Sequence, residues 1–289
     1  MGRFSSKRRR ERFKLYKLTA AGNDFLLFYG VCQPVSFYRR LARQCCLRRY
    51  AWGADGLLVV EKKERNFRMR IFNPDGSEAE MCGNGARCVA LWIYLYKKRE
   101  SNLTFLTKAG EIKAVVTKVY RPLRQCVFSK ANIRIKMTSP TDLKLHFSLP
   151  LSPRSLSLSF INSGVPHAVI FVEGLERIDI ERLGALVRYH KHFAPAGTNV
   201  DFVEFIKDDF IKIRTYERGI EKETLACGTG IVASAILSKL RYSSPKLTNR
   251  VKVLTRSGET LEVSFNYQDN IISNVWLKGS AYLVGEIIT

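Results

Sequence analysis

Two cysteines stand at equivalent places in two similar halves of the chain. Cys82 lies in MCGNGARCVA and Cys227 in ACGTGIVASA, so each opens a Cys-Gly-X-Gly turn that leads into an apolar run. Their positions differ by 145 in a chain of 289 residues. The start of a helix offers free backbone N–H donors and a partial positive charge, which lower a thiol pKa and bind a carboxylate. We therefore predict a site in which each half presents one activated thiol to one anionic substrate.

Other segments of the chain repeat at nearly the same interval. The helix-like segment 36–50 recurs at 179–193, and the strand-like segment 68–80 recurs at 212–224. Self-similarity at half the chain length indicates a duplicated unit, because solenoid repeats have much shorter periods. The alternative is that two glycine-rich turns coincide by chance.

The hydrophobic pattern predicts many strands and few helices. The segments 85–98 and 230–241 are predicted to be helices that are apolar on nearly every face, so sheet should enclose them. With 46% of its residues hydrophobic, the chain has enough material for two cores. Period-two alternation, which is typical of half-buried strands, occurs at 69–72, 111–116, 201–205, 211–216, 260–265 and 274–279.

These elements predict an α+β fold of two pseudo-symmetric halves, each made mainly of β-strands wrapped around a central helix, with the active site between them. The N-terminal half is expected to span residues 1–129, with a mobile basic tail at 1–13 and a completing C-terminal strand near 278–289. The C-terminal half is expected to span residues 130–277.

The formal net charge of +22 raises the question of a nucleic-acid partner. The chain starts with the basic run MGRFSSKRRRERFK, but the sequence has no zinc-finger spacing, helix-turn-helix pattern or aromatic RNA-binding signature. We interpret the charge as the solvated surface of a cationic enzyme that attracts a dicarboxylate substrate. A nucleic-acid-binding module is the alternative.

Location and assembly are predicted from the absence of targeting patterns. The sequence has no stretch near the ~18 apolar residues of a membrane span and no apolar segment typical of a signal peptide. We therefore expect a cytoplasmic protein that does not contact a membrane. A homodimer is left open.

The cysteine and histidine pattern argues against a disulfide scaffold and a metal site. Seven cysteines are an odd number, and the sequence has no secretory signal and no Cys-X-X-Cys pair. The histidines do not fall at ligand spacing with the cysteines, so no metal is predicted. Among the cysteines only Cys82 and Cys227 occupy a repeated position, and the others are interpreted as core or incidental thiols.

On a set of longer motifs, the chain resembles the diaminopimelate epimerase family. The matching blocks run in family order over about residues 15–235, and the tail from Val251 also fits. The resemblance implies a cofactor-independent enzyme, with no pyridoxal phosphate, that interconverts LL- and meso-diaminopimelate for lysine and peptidoglycan synthesis. The blocks are LTAAGNDFLLF, GADGLLVVE, RIFNPDGSEAEMCGNGARCVA, SGVPHAVI, GTNVDFVEF and YERGIEKETLACGTG.

Inversion at an α-carbon needs a base on one face and an acid on the other. The resemblance implies that Cys82 and Cys227 are this base and acid, one as a thiolate and the other as a thiol. Their roles reverse with the direction of the reaction, and which of them attacks the LL substrate stays open. Helix-terminal N–H groups would stabilise the charge that develops in the transition state. The alternative for the glycines is that they only permit a tight helix entry. The groups expected to hold the α-carboxylate are those of Gly83, Asn84, Gly228 and Thr229.

The resemblance implies roles for further polar residues. Arg218 would bind the distal carboxylate of the substrate, Glu217 would lie near the reacting centre as a catalytic and substrate-binding group, and His167 would tune the thiol pair. The amide residues expected to bind substrate, chiefly its distal amino acid, are Asn23, Asn73 and Asn199.

Two positions depart from the family pattern. Gly56 stands where the family normally has Gln, and Val165 stands where it normally has Asn before Pro-His. Both positions belong to recognition of the distal end of the substrate, where each lost hydrogen bond removes ~0.5–1.5 kcal/mol. The hypothesis that follows is relaxed substrate scope. The alternative function is a related cofactor-independent amino acid racemase, for example one that acts on glutamate.

Overall fold

The protein is described here by a computed structural model. The described residues are 13–64, 66–120, 128–151, 154–241 and 249–288, so most of the predicted basic tail at 1–13 lies outside them. Within these ranges, no helix is both long and apolar enough to cross a membrane.

The elements form two consecutive sets, separated by β9 (Thr141–Leu151). The first set is β1 (Lys14–Ala20), β2 (Asn23–Gly30), α1 (Val35–Cys45), β3 (Gly56–Lys63), β4 (Asn66–Phe72), β5 (Glu78–Ala79), α2 (Gly83–Tyr96), β6 (Asn102–Thr107), β7 (Gly110–Tyr120) and β8 (Ser129–Lys136). The second set is β10 (Arg154–Asn162), β11 (Pro166–Phe171), α3 (Ile180–Arg188), β12 (Asn199–Lys207), β13 (Phe210–Glu217), β14 (Lys222–Thr224), α4 (Gly228–Arg241), β15 (Arg250–Leu254), β16 (Thr260–Gln268) and β17 (Ile271–Ile288).

The two sets have the same topology. In the first set β2 pairs parallel with β3 around α1, and β4 pairs parallel with β6 around α2. In the second set β11 pairs parallel with β12 around α3, and β13 pairs parallel with β15 around α4. A parallel pair needs a long crossover, and a helix supplies it each time. The predicted α+β fold with two pseudo-symmetric halves is confirmed.

The strands of the first set close into a barrel. The cycle β1-β2-β3-β4-β6-β7-β8-β17 returns to β1, because β17 pairs antiparallel with both β8 and β1. The start of β17 also pairs with β16 of the second set. Since one long strand serves both sets, the division of the chain at residues 129 and 277 stays a prediction.

Helices α2 and α4 lie at the centre of the core. Both are 14 residues long, and all residues from Asn84 to Ile93 and from Gly230 to Ser238 are buried. A helix that is apolar all round has to be enclosed, and here strands of the core cluster enclose both. The surrounding strands therefore fix the position of each central helix, including its N-terminus, which directly follows a cysteine.

The two outer helices end earlier than the sequence pattern predicts. Helix α1 ends at Cys45 rather than near residue 50, and α3 ends at Arg188 rather than near residue 193. After α1 the chain turns back, with Gly53 N–H donating to Cys45 O at 3.1 Å. After α3 it passes into a short 3₁₀ turn at Lys191–Phe193.

Candidate active site

The N-termini of the two central helices meet over one ladder of the sheet. A Cβ added to the first residue of α2 would lie 3.5 Å from Ile135 Cδ1, and one added to the first residue of α4 would lie 3.5 Å from Leu277 Cδ2. Ile135 and Leu277 are direct partners in the antiparallel pairing of β8 with β17. Direct partners have Cβ atoms ~5 Å apart, so the two Cys-Gly turns lie side by side where the halves join.

Cys82 is the N-cap of α2. Its Sγ accepts the backbone N–H of Gly85 at 3.4 Å, and its side chain is partly buried against the core. Burial raises the pKa of the Cys82 thiol, and this outweighs the backbone N–H groups of Gly85 and Asn84 and the charge of Arg87, which lower it. The nearby Glu217 carboxylate raises it further.

Cys227 occupies the equivalent place before α4 and is buried. Its Sγ lies 3.4 Å from Thr229 Oγ1. Burial raises the pKa of this thiol well above its ordinary value, and the charges of Glu217 and Asp201 add to the rise, against smaller lowering contributions from the Thr229 hydroxyl and the Gly230 N–H. The N–H donors at the helix starts lower both thiol pKa values, as the sequence pattern predicts, but desolvation outweighs them and the net shift is upward.

His167 connects Cys227 to a buried carboxylate. His167 Nδ1 lies 2.6 Å from Asp201 Oδ2, and His167 Nε2 lies 2.9 Å from Thr229 Oγ1. Neither His167 nor Asp201 has any exposed surface. A continuous chain of hydrogen bonds therefore runs from Asp201 through His167 and Thr229 to the Cys227 sulfur.

Glu217 acts on both thiols. It ends β13, and its Oε2 accepts a hydrogen bond from Thr224 Oγ1 at 2.9 Å. Burial raises the pKa of the Glu217 carboxyl, and Asp201 adds to the rise, whereas Thr224 and His167 lower it. Since this one carboxylate raises the pKa of Cys82 and of Cys227, it lies within electrostatic range of both.

Asn199 holds the next residue along the chain from Glu217. Its Oδ1 accepts the backbone N–H of Arg218 at 2.8 Å, and its Nδ2 donates to Pro166 O at 3.2 Å and lies 3.4 Å from His167 Nε2. Among the described groups, the Arg218 side chain makes one hydrogen bond, from Nη1 to Ala196 O at 3.2 Å. Its guanidinium therefore keeps most of its donors for a ligand.

On the Cys82 side the amides of Asn84 and Asn23 bind each other. Arg87 Nη2 donates to Asn84 Oδ1 at 2.6 Å, Asn84 Nδ2 donates to Asn23 Oδ1 at 2.7 Å, and Asn23 Nδ2 donates to Asp55 Oδ2 at 3.0 Å. A guanidinium only donates, so Arg87 fixes the direction of every bond in this row. The row places Asn23, predicted from the chain start, beside the turn that carries Cys82.

Asn73 is not brought to the thiols by its contacts. It is exposed in a turn, where its Nδ2 donates to Ser77 Oγ at 2.9 Å. Its role toward a substrate stays a prediction.

Gly56 is buried at the start of β3, where a Cβ would lie 3.0 Å from Phe72 O. Val165 is partly exposed in the loop before β11.

Two buried charged residues close to the thiols were missed by sequence reasoning. Asp201 also accepts a hydrogen bond from Thr215 Oγ1 at 2.7 Å, and Arg87 has no exposed surface. Both stand in the quoted motifs GTNVDFVEF and CGNGARC, so the available signal was a charge at the edge of an apolar run. Within the described part of the chain, no cluster of three or more Cys, His, Asp and Glu side chains has a metal-binding arrangement.

Solved structures of low sequence identity share this fold. A phenazine biosynthesis protein of the PhzF family from Bacillus anthracis matches with a TM-score of 0.70 at 15% identity, over 96% of this chain and 99% of the other. A probable proline racemase from Agrobacterium radiobacter K84 gives a TM-score of 0.65 at 16% identity, over 95% and 92% of the two chains. They define the fold class, an α+β architecture shared over nearly the full length.

Sequence comparison then identifies the family. A family model described as diaminopimelate epimerase matches residues 15–128 and 159–284. The diaminopimelate epimerase of Aquifex aeolicus is 38% identical over 284 residues, which cover 94% of this chain and 96% of that protein. That of Chlorobaculum tepidum is 35% identical over 271 residues, covering 92% and 97%. The chain belongs to the diaminopimelate epimerase family, as its motifs indicate.

Proposed function

We propose that the protein is a diaminopimelate epimerase, which interconverts LL- and meso-diaminopimelate by moving a proton between two thiols. The observation that carries the proposal is the placement of Cys82 and Cys227 at the adjoining N-termini of α2 and α4, over the paired residues Ile135 and Leu277. The curated relatives that carry this name span nearly the whole chain.

The reaction needs one base and one acid on opposite faces of the α-carbon. One cysteine, as thiolate, removes the α-proton; the other, as thiol, delivers its own proton to the opposite face. The first cysteine ends as the thiol and the second as the thiolate, so charge and protons balance. The reverse reaction uses the same two groups with their roles exchanged.

The helix N-termini supply the electrostatic stabilisation. The free N–H groups at the start of α2 and α4 face the region where the substrate α-carboxylate would lie, and negative charge grows there as the α-proton leaves. Donors fixed in advance in a poorly solvated site act strongly on such charge. This arrangement supports the assignment of Gly83, Asn84, Gly228 and Thr229 to carboxylate binding.

Glu217 and Arg218 complete the substrate contacts in this proposal. The partly buried Glu217 carboxylate suits the α-ammonium group, since it lies within range of both thiols. The Arg218 guanidinium suits a carboxylate, because its fork matches the two oxygens. Asn199 fixes the backbone of Arg218 through the 2.8 Å hydrogen bond and so sets the direction of that fork.

A chromatographic assay of LL-diaminopimelate conversion tests the proposal. Wild-type protein should form meso-diaminopimelate, and Cys82→Ala and Cys227→Ala should each abolish conversion. Cys88→Ala is the matched control, because Cys88 is a buried thiol on α2 and takes no part in the reaction; it should retain conversion. Full conversion by either single variant would remove the two-thiol assignment.

A second candidate is racemisation of a smaller amino acid such as glutamate, and it rests on Gly56 and Val165. Gly56 leaves no amide at the start of β3, and a side chain there would press against Phe72 O. Incubating L- and D-glutamate with high enzyme concentration, beside LL-diaminopimelate, tests it. No glutamate turnover would exclude this candidate and leave the first intact.

A further inference from the structure

The side chain of Asp201 is fully buried behind Cys227, and both of its oxygens are bonded. Oδ1 accepts from Thr215 Oγ1 at 2.7 Å, and Oδ2 lies 2.6 Å from His167 Nδ1. Thr215 is the direct partner of Asp201 across the β12–β13 ladder. A buried carboxylate persists only when its oxygens are paired, so this one is held in a single orientation.

This carboxylate fixes the proton of the imidazole. Because a carboxylate at Asp201 only accepts hydrogen bonds, we assign the proton of this contact to Nδ1 of His167. In the neutral ring Nε2 is then an acceptor, and it faces Thr229 Oγ1 at 2.9 Å. The hydroxyl of Thr229 can donate to that nitrogen.

Thr229 therefore has one proton and two neighbours that can accept it. When Cys227 is a thiol, Thr229 donates to His167 Nε2 and accepts the S–H of Cys227, 3.4 Å away. When Cys227 has given its proton to the substrate, the hydroxyl can rotate and donate to the thiolate instead. Asn199 Nδ2, 3.4 Å from His167 Nε2, remains as a donor to that nitrogen.

We infer that Asp201 is a positioning residue for Cys227: by holding the His167 proton on Nδ1, it keeps the Thr229 hydroxyl free to turn between His167 and the Cys227 sulfur. The inference deepens the proposed epimerase function and rests on it. Asp201 itself does not touch the reacting atoms. Its effect on catalysis passes through two intervening side chains.

The same carboxylate also contributes to the electrostatics around Cys227. The titratable groups that face this thiol are Glu217 from β13, Asp201 from β12 and His167 from β11, while α4 contributes the Thr229 hydroxyl and the Gly230 N–H. Burial raises the pKa of Cys227, and the two acids add to the rise, whereas the main influences on the pKa of Cys82 include Glu217 but not Asp201. Removing the Asp201 charge should therefore change one thiol and not the other.

The variant Asp201→Asn tests this with thiol alkylation. Asn keeps the shape and can still bond Thr215 and His167, but it carries no charge and no longer forces the proton onto Nδ1. Iodoacetamide labelling followed by peptide mass spectrometry should show Cys227 reacting roughly tenfold faster at pH 8, since a neighbouring negative charge has been removed. The labelling rate of Cys82 should be unchanged.

Activity gives the second measurement. In Asp201→Asn we expect kcat to fall at least about tenfold, equivalent to about 1.4 kcal/mol, with KM within about twofold because Asp201 does not reach the substrate. Glu204→Gln is the matched control: it removes one charge from the same strand, at a carboxylate that caps the backbone N–H groups of Gly174 and Leu175. It should leave kcat and Cys227 labelling unchanged.

The hydroxyl is tested separately at Thr229. Thr229→Ser keeps a hydroxyl and should retain kcat within about fivefold, whereas Thr229→Val should lose at least about a hundredfold, in line with other proton-positioning groups. Equal kcat in the Ser and Val variants would overturn the inference, as would unchanged Cys227 labelling in folded Asp201→Asn. If the wild-type protein lacks epimerase activity, the proposed function fails, and selective acceleration of Cys227 labelling would still support the role of Asp201.

Discussion

Gly230, the third residue of α4, gives a prediction whose sign the structure decides. A Cβ at Gly230 would lie 2.5 Å from Asp201 Oδ1 and 3.2 Å from His167 Cε1. No real Cβ tolerates the shorter distance, and neither neighbour can move freely, because both are fully buried and bonded to each other. Gly230→Ala must therefore displace the Asp201–His167 pair.

The magnitude follows from two opposing contributions. Ala stabilises a helix interior by about 1 kcal/mol relative to Gly. Overpacking a dense core costs about 1–3 kcal/mol, and disturbing a charge-assisted hydrogen bond costs about 1.5–3 kcal/mol more. The steric and polar losses exceed the gain, so the free energy of unfolding should fall by roughly 1.5–5 kcal/mol, which lowers Tm by about 2–8 °C. A shift of about 1 Å in His167 should lower kcat roughly a hundredfold.

Gly184→Ala is the matched control for this prediction. Gly184 is also a buried helix glycine, and its added Cβ would lie 2.5 Å from Tyr216 Cβ, which belongs to an apolar cluster rather than to the site. Calorimetry should show a similar decrease in Tm for Gly184→Ala, but its kcat should stay within about threefold of wild type at 25 °C, since the displaced neighbour is not His167. A Gly230→Ala variant with wild-type Tm and wild-type kcat would refute the geometry of the Asp201–His167 pair.

Three further predictions concern the thiols. Because burial raises the pKa of both cysteines, kcat/KM should rise with pH on the alkaline side of neutrality as the base thiol ionises. The free energy of unfolding should fall as pH rises above 9.0, the ordinary pKa of a thiol, because the unfolded chain then loses thiol protons that the folded protein keeps. This fall should be shallower in the Cys82→Ala, Cys227→Ala double variant. Arg87→Met should move the alkaline rise of kcat/KM to higher pH, because the Arg87 charge lowers the pKa of Cys82, and an unmoved profile would show that Arg87 does not act on that thiol. Peroxide should inactivate the enzyme and a dithiol should restore it, because two thiols facing one carbon can form a disulfide; activity that survives peroxide would contradict their juxtaposition.

The duplicated fold was predictable because its signal is local. The all-round apolar segments 85–98 and 230–241 must be enclosed whatever the tertiary structure, and the glycine turns before them mark their starts. The end of α1 was not predictable, since the residues after Cys45 continue a helical pattern, whereas in the structure the chain turns back and Gly53 N–H donates to Cys45 O. Helix ends depend on such long-range contacts.

The residues of the site also include some that the sequence could predict and some that it could not. Cys82, Cys227 and Glu217 carry motif signals, and the structure brings them within electrostatic range of one another. Asp201 carried only the weak signal of a charge in an apolar run, and its partner could not be predicted, because His167 lies 34 residues earlier and is reached only through the parallel pairing of β11 with β12. The net upward shift of the thiol pKa values could not be predicted, because the N–H donors that lower them are visible in the sequence and the burial that outweighs these donors is not.

The central claim is that two opposed thiols invert one α-carbon, and deuterium uptake tests it most directly. LL-diaminopimelate incubated with the enzyme in deuterated water should give meso product that carries deuterium at the inverted α-carbon, while substrate recovered at early times retains its protium, because each face has its own acid or base. Rapid appearance of deuterium in the recovered LL substrate at the same rate as in the product would indicate a single exchanging base, and would contradict the account.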